Sequence, residues 1–533
     1  MQPPLDALAA EQNSLGLTAA GRGELAAAEM HFRAAVSRAP GFAQAHNNLG
    51  VALEMQNRLE EAEHAYRAGL AARPDYAEGW QNLGVVLERL GRFEHAESAC
   101  RRALVLNPAS LTAANGLGVA LLRLGRLDES AAILSQVVRQ CPDFAAAHSN
   151  LGAVLEDLRR LDEAVVAFEH AITLEPGNVG ALVNAGLLYE RLGKTLTAKQ
   201  SFERAISQEP HSAEAQLNLG LLNLRDGDCA NGWPGYRWRN ELNGQSAPQP
   251  PLPRWDGSSL VGRTILLCED QGAGDSIQFM RFSERLAQQD ARVVVQSSDA
   301  LADLLKSCRG VAAVCRPSEP CPAADVFLPI ADVPGMLGVD LTDLPIRTPY
   351  LFPPADLTDA WQRELATVHE LRVGIAWQGN PQNKNDRDRS FPLRLLRELM
   401  HTPDTRFYSL QFGTGREQIA ESDCHIVDLG DRLGRFHETA ALVQCLDLVI
   451  TCDSSPAHLA GALAVPVWVA LAHFADWRWL RGRSDSPWYP SMRLFRQPRA
   501  GAWQDVFHDI AKALRELLSQ RRSAGCGGTI ASE

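Results

Sequence analysis

Glycines at Gly16, Gly50, Gly84, Gly118, Gly152, Gly186 and Gly220 stand 34 residues apart, and prolines at Pro40, Pro74, Pro108, Pro142, Pro176 and Pro210 keep the same step. A fixed period of this length predicts a stack of supersecondary units, each burying its apolar face against the next. Leu precedes the glycine in most units. A small residue follows it twelve places on (Ala28, Ala62, Ala96, Ser130, Ala164, Ala198), and a mostly aromatic one sixteen places on (Phe32, Tyr66, Phe168, Phe202, with Cys100 and Leu134 as exceptions). Two amphipathic helices per unit need this alternation, with small residues where the helices cross closely and a bulky one to fill the gap. Gly23, Asn57, Gly91, Gly125, Gly193 and Gly227 fall at the turn between the two helices, where a left-handed residue is needed. The recurrent proline closes each unit because it cannot continue a helix.

The pattern resembles the tetratricopeptide repeat, in seven copies over residues 9–242. Its seventh copy departs: Gly232 stands for the small Ala and Gly244 for the Pro, and NGWPGYRWRN, with Trp233, Tyr236 and Trp238, reads as a helix docked on something else. Such solenoids present an extended concave surface to partners. Asn48, Asn82, Asn150, Asn184 and Asn218 sit two residues before the repeat glycine, with Ser14 and Gly116 interrupting the series. Similar asparagines in the repeat domain of protein O-N-acetylglucosamine transferases grip extended peptides, so the resemblance implies a peptide or partner-binding ladder. Helix-packing asparagines are the other reading.

The period stops at a Pro-rich linker, residues 243–262, which carries Pro248, Pro250, Pro251 and Pro253. Beyond it, short β-rich runs alternate with helical patterns. TILLCED (264–270), the loop QGAGDS (271–276), the helix 277–289 and ARVVVQS (291–297) form a βαβ unit, which implies a parallel sheet. A second Pro-bounded junction near 346–356 precedes LRVGIAWQG (371–379), TRFYSLQFG (405–413), DLVITC (447–452) and PVWVAL (466–471). The expected architecture is an α-solenoid followed by two Rossmann-like α/β domains, 263–355 and 371–520, facing a cleft at the C-terminal ends of their strands. Residues 521–533 are expected to be a disordered tail.

Charge and cysteine usage narrow the partners. The 52 Lys and Arg against 64 Asp and Glu leave a net charge of −12, which excludes a general nucleic-acid binder. The 11 cysteines include no C-x-x-C pair, so neither a zinc knuckle nor a thioredoxin-type site is expected. Reduced thiols, the absence of a secretory n- and h-region, and no apolar run of bilayer-spanning length lead to the expectation of a soluble, cytoplasmic protein without a membrane span.

The densest constellation is the run Asp453-Ser454-Ser455-Pro456-Ala457-His458 and its continuation to Leu463. Ser455 reads as the N-cap and Pro456 as the first helical residue, with His458 in the first turn directly after a strand. A helix start there is an anion site; local packing of His458 is the alternative. The block from Leu448 to Leu471 resembles the donor-binding segment of the lipopolysaccharide heptosyltransferase family, inverting glycosyltransferases of the GT-B architecture. The resemblance spans residues 262–518 and implies that Asp453, Ser454, Ser455 and His458 hold a nucleotide sugar. It also implies that Asp275, in the cleft loop Gln271, Gly272, Gly274, is the catalytic base, and that Lys384 binds phosphate beside Arg387. No cofactor is expected, the nucleotide sugar being a substrate, and no metal. The layout, repeats first and GT-B second, is similar to protein O-N-acetylglucosamine transferase. An inverting, metal-independent hexosyl- or heptosyl-type transferase follows as the expectation. The repeats would recruit the acceptor, with protein, glycan and lipid-linked sugar all open. A non-catalytic repeat scaffold with a degenerate transferase part is the alternative.

Three further signals are weak. Gly272-Ala273-Gly274 lacks the third glycine of a dinucleotide fingerprint. Asp386-Arg387-Asp388 matches a metal-binding D-x-D, which would make a metal-dependent transferase, but Asp226-Gly227-Asp228 matches equally well inside a repeat. No G-x-S-x-G elbow accompanies Ser454 and Ser455. The segment 476–490, with Trp477, Arg478, Trp479 and Trp488, reads either as a wall of the donor pocket or as core over the sheet edge.

Overall fold

The computed structural model describes residues 7–242, 250–344, 347–383, 386–422 and 425–526. The chain divides into two compact units between Ala215 and Gln216.

The first unit is a helical solenoid of antiparallel pairs, from Ala7–Gly21 with Leu25–Arg38 to Val179–Arg191 with Thr195–Gln208. The periodic glycine and the bulky residue sixteen places on are two halves of one contact. A Cβ on Gly50 would lie 2.5 Å from the Tyr66 ring, and one on Gly152 would lie 2.8 Å from Phe168. The first helix lacks a side chain where the second inserts its ring. Arg159 takes the left-handed turn conformation (φ 61°) that glycine or Asn57 supplies in other repeats. Arg58–Glu29 (2.7 Å), Arg92–Glu63 (2.5 Å) and Arg126–Glu97 (2.7 Å) tie each second helix to the one before it.

The second unit begins inside the first turn of the seventh pair, Ala213–Arg225 and Cys229–Tyr236, at Gln216. Periodicity runs to residue 242, whereas the packing boundary lies at 215. The reason is local: Gly220 and Gly235 bring the two backbones into direct contact, a Cβ on Gly220 meeting the Gly235 backbone at 2.7 Å. Trp233 and Tyr236 are thereby turned outward from the pair, into the core of the α/β unit. Trp233 donates its indole N–H to the Val339 carbonyl at 2.7 Å and stands edge-on to Trp477.

Ten strands follow: β1 Thr264–Cys268, β2 Arg292–Gln296, β3 Val311–Cys315, β4 Val326–Pro329, β5 Leu371–Ala376, β6 Thr405–Ser409, β7 Ile426–Asp428, β8 Leu448–Cys452, β9 Val467–Leu471 and β10 Met492–Arg496. They form two sheets, ordered β3-β2-β1-β4 and β10-β9-β8-β5-β6-β7, with all neighbours parallel. Numbered within its own half, the second sheet has the order 3-2-1-4-5-6 of doubly wound dinucleotide-binding folds, read from the β7 edge, and the first sheet has its 3-2-1-4 portion. The connections reverse direction between β1 and β4 and between β5 and β8. Such switch points open crevices at the C-terminal strand ends.

Four sequence readings change. Of the linker, residues 243–249 lie outside the described residues. Within residues 250–262, Trp255 and Leu260 are buried while most of the rest is exposed; Trp255 donates its backbone N–H to the Phe327 carbonyl, so the stretch around Arg254 covers part of the free edge of β4. Asp275 lies in the first turn of helix Ala273–Phe279, not in a loop, because the Gly272 carbonyl accepts from the Asp275 and Ser276 N–H groups. Helix Trp503–Cys526 continues through the start of the expected tail, and residues 527–533 lie outside the described residues. Cys315 and Cys321 form a disulfide, where reduced thiols were expected; the short turn after β3 brings their Cα atoms to 5.4 Å. Among the described residues no helix is long and apolar enough to cross a membrane.

Candidate functional site

The loops after β1, β5 and β8, which flank the two switch points, line a single cavity of about 800 Å³ within the second unit. The first contributes Gln271, Gly272, Gly274 and Asp275. Gly274 is pressed against the second half: a Cβ there would lie 2.9 Å from His458 Cδ2 and 3.6 Å from Ser455 Cα. The loop after β5 is held by Gln411, whose Oε1 accepts from the Trp377 and Gln378 N–H groups while its amide donates to the Gln378 and Thr414 carbonyls.

After β8 come Asp453 and helix Ser455–Ala462. The N-cap is Ser454, one residue earlier than the sequence reading placed it, and Pro456 follows in the first turn. The Ser454 hydroxyl makes no capping bond; it lies among Thr451 and Cys452. With no side-chain acceptor capping it, the helix start keeps the positive end of its dipole for an acceptor in the cavity.

The charges in the cavity form one connected set. Arg478 pairs with Asp275, donates to Asp476 Oδ1 at 2.7 Å and to Gln278 Oε1 at 2.8 Å, and is itself buried. Burial and the neighbouring Asp476 charge push the Asp453 carboxyl up to about 6. Burial opposes ionisation of Asp476 too, yet Arg478 holds it below the ordinary carboxylate range. Burial first, then the Arg478 charge, holds His458 down to about 3, so its ring is neutral. The ring stacks on Trp479 with centroids 5.3 Å apart.

Asp275, Asp453, Ser454, Ser455 and His458, chosen from the sequence, thus share one cavity. Arg387 does not: it is exposed and lines a separate opening with Asp386 and Gln418, because the short helix Asp386–Arg389 turns Arg389 inward instead. Lys384 lies outside the described residues. Asp386 of the D-x-D accepts from Ser390 Oγ (2.9 Å) and Arg389 Nε (3.2 Å), which commits it to bracing the loop. Among the described residues no three His, Cys, Asp or Glu side chains cluster as metal ligands.

Sequence reasoning missed Arg389 and Asp476, placed Arg478 only in a segment read as pocket wall or as core, and missed Leu217, Leu221, Tyr236 and Arg239 of the seventh repeat, which also line the cavity. The signal was present in residues 476–479: the Trp479 and Trp488 rings are core, and the charged residues beside the tryptophans form the wall. In the solenoid, Asn48, Asn82 and Asn150 each donate to an asparagine of the preceding repeat: Asn13 (2.9 Å), Asn47 (3.0 Å) and Asn115 (3.0 Å). These bonds tie neighbouring repeats together and leave the three asparagines part-exposed; Asn184 and Asn218 are half-buried, the latter in the second unit.

The tetratricopeptide-repeat family model matches residues 13–77, 57–110, 82–143, 115–179 and 183–231. Over 321 residues the chain is 27% identical to Protein FlbA of Caulobacter vibrioides, covering 55% of this chain and 53% of that protein, so the chain spans about half the length of this curated relative. Similar solved structures include a tetratricopeptide repeat protein from Parabacteroides merdae (18% identity, 45% of this chain and 94% of that one, TM-score 0.39). Another is YrrB, described as a TPR protein with an unusual peptide-binding site (23% identity, 34% and 95%, TM-score 0.27).

Proposed function

We propose that this chain, whose N-terminal part is built of tetratricopeptide repeats, is an inverting glycosyltransferase of GT-B architecture. It would move a sugar from a nucleotide sugar to an acceptor that the repeats recruit, a protein being the acceptor class such repeats suit best. One observation carries the reading: three strand-end loops at two switch points meet in one cavity that holds a carboxylate, a neutral histidine and an open helix start. The acceptor hydroxyl attacks the anomeric carbon as the bond to the nucleoside diphosphate breaks. Asp275 takes the hydroxyl proton, and the departing phosphate carries off the bonding electrons. Arg389 and the helix start at Ser455 face the negative charge that develops there. Arg478 takes one oxygen of Asp275 and leaves the other for the acceptor.

The same Arg478–Asp275 pair favours a second reading, a repeat scaffold whose transferase part no longer turns over, because the arginine competes with an acceptor for the carboxylate. Purified protein assayed with a panel of nucleotide sugars separates the two. Transfer or hydrolysis of one donor, unaffected by EDTA, is expected, and Asp275→Asn should lower it by about 10²–10⁴-fold. Full activity in that variant would sink the base assignment, and inertness toward every donor would leave the scaffold.

A further inference from the structure

Arg281 is almost wholly buried, and among the described residues no carboxylate lies within ion-pair distance of it. Its guanidinium donates instead to the Gln278 carbonyl (2.9 Å), the Trp488 carbonyl (2.5 Å) and the Tyr350 hydroxyl (3.2 Å), and its charge faces the Tyr350 and Tyr489 rings at 4.9 and 4.5 Å. A buried cation with this cage is costly to maintain by itself, so what it holds in place is informative. Clamping the Trp488 carbonyl fixes the next residue, Tyr489, whose ring lies flat on helix Ser455–Ala462. A Cβ on Gly461 would meet that ring at 2.4 Å. The Tyr489 hydroxyl then reaches His458 Nδ1 at 3.1 Å.

The Tyr350 hydroxyl spends its proton on the Ile277 carbonyl and accepts from Arg281. The Tyr489 hydroxyl has Arg281, the Tyr350 hydroxyl and His458 Nδ1 beside it. Arg281 can only donate, but a hydroxyl oxygen accepts twice, so the Tyr489 proton has two acceptors within reach, His458 Nδ1 and the second lone pair of the Tyr350 oxygen. Two networks satisfy these groups: Tyr489 donates to Nδ1 and the ring proton sits on Nε2, or Nδ1–H donates to Tyr489, which passes its own proton to Tyr350. The first of them leaves the ring a donor at Nε2. Trp479 covers one face of the ring, Gly274 packs beside its Cδ2–Nε2 edge with no side chain to fill the space, and both His458 and Gly274 line the cavity.

We infer that Arg281 and Tyr489 are positioning residues that fix His458 as a neutral imidazole with its Nε2–H aimed into the cavity, a hydrogen-bond donor for phosphate oxygens of the ligand. The choice of this network and the role assigned to the ligand both rest on the transfer reading, in which an anion needs a donor; the positioning of the ring by Arg281 and Tyr489 does not. Such a donor recognises an anion without carrying a charge of its own, and it complements the helix start one turn earlier on the same element.

The test uses the full chain with ¹⁵N-labelled histidine at pH 7. Long-range ¹H–¹⁵N spectra, with His458 assigned by its loss in His458→Gln, should show the Nε2–H form. Tyr489→Phe keeps the ring packing and should mix the two tautomers. It should also weaken binding of inorganic pyrophosphate, followed by titration calorimetry, about tenfold. A parent spectrum in the Nδ1–H form overturns the inference even if the variant does not fold. So does a folded Tyr489→Phe with an unchanged His458 tautomer. A parent that shows Nε2–H yet binds neither pyrophosphate nor any nucleotide sugar would overturn the transfer reading while leaving the Arg281–Tyr489–His458 relay standing.

Discussion

The two units reach stability by opposite means. In the solenoid the recurring bonds span one repeat: Arg92 reaches Glu63 across 29 residues and Asn82 reaches Asn47 across 35. In the α/β unit the bonds that build the cavity span a different scale. Arg478 meets Asp275 across 203 residues and Gln278 across 200, and Arg281 meets the Trp488 carbonyl across 207. A unit of short-range contacts tolerates the loss of any one of them, since each repeat answers mainly to its neighbours. A site assembled from distant segments ties its geometry to the folding of the whole unit.

Arg478→Met should reveal this difference most strongly. It strands the half-buried Asp476 and releases Asp275, and the expected loss is about 3 kcal/mol in denaturant unfolding, the low end for a broken buried pair because Asp476 keeps some contact with water. Survival of the second unit with unchanged stability would show that the cavity charges are not coupled to its fold. Acidification comes next. His458 is held down to about 3, so it stabilises the fold above its unfolded pKa of about 6.5 and that contribution fades as the pH falls toward 3. Asp453, pushed up to about 6, acts in the opposite sense: its contribution is complete below about 3.9 and is lost as the pH rises through 6. Between about pH 4 and 6 the two partly cancel. His458→Gln should therefore flatten the acid loss of the second unit's stability, and Asp453→Asn should steepen it, by about 2–3 kcal/mol over that range.

Paired glycine substitutions sharpen the same contrast at lower cost. A Cβ on Gly186 meets the Phe202 ring at 2.5 Å, and a ring can shift, whereas one on Gly220 meets Gly235 backbone at 2.7 Å. Gly186→Ala is expected to cost about 1 kcal/mol and Gly220→Ala about 3 kcal/mol, read from thermal melts. Equal costs would argue that the seventh pair is an ordinary repeat. The smallest effect belongs to the ion-pair ladder. Arg92→Ala should cost no more than about 1 kcal/mol, and less at high salt.

What was legible in the sequence follows the same division of range. The 34-residue step located the helices of the solenoid because each contact lies at a fixed offset from its partner. Strand ends and the Asp453–His458 block were legible too, since a buried strand running into a helix start is a local event. Arg478 was legible as a possible wall residue, but its pairing with Asp275 was not: nothing near residue 478 mentions residue 275. Arg389 and Arg387 were confused because the direction a side chain takes from a four-residue helix depends on the loop around it. The Cys315–Cys321 disulfide escaped because its spacing matches no common motif, and the turn that closes it is visible only once β3 is placed.

The seventh repeat belongs by sequence to the solenoid and by packing to the α/β unit, and this has a bearing on how such chains can vary. Trp233 and Tyr236 draw their described partners, Val339, Phe279 and Trp477, from within the second unit. The last pair differs from the others, because its aromatic residues are part of another unit's interior. A change in the final pair is therefore a change in the interior of the α/β unit, although the period assigns it to the solenoid.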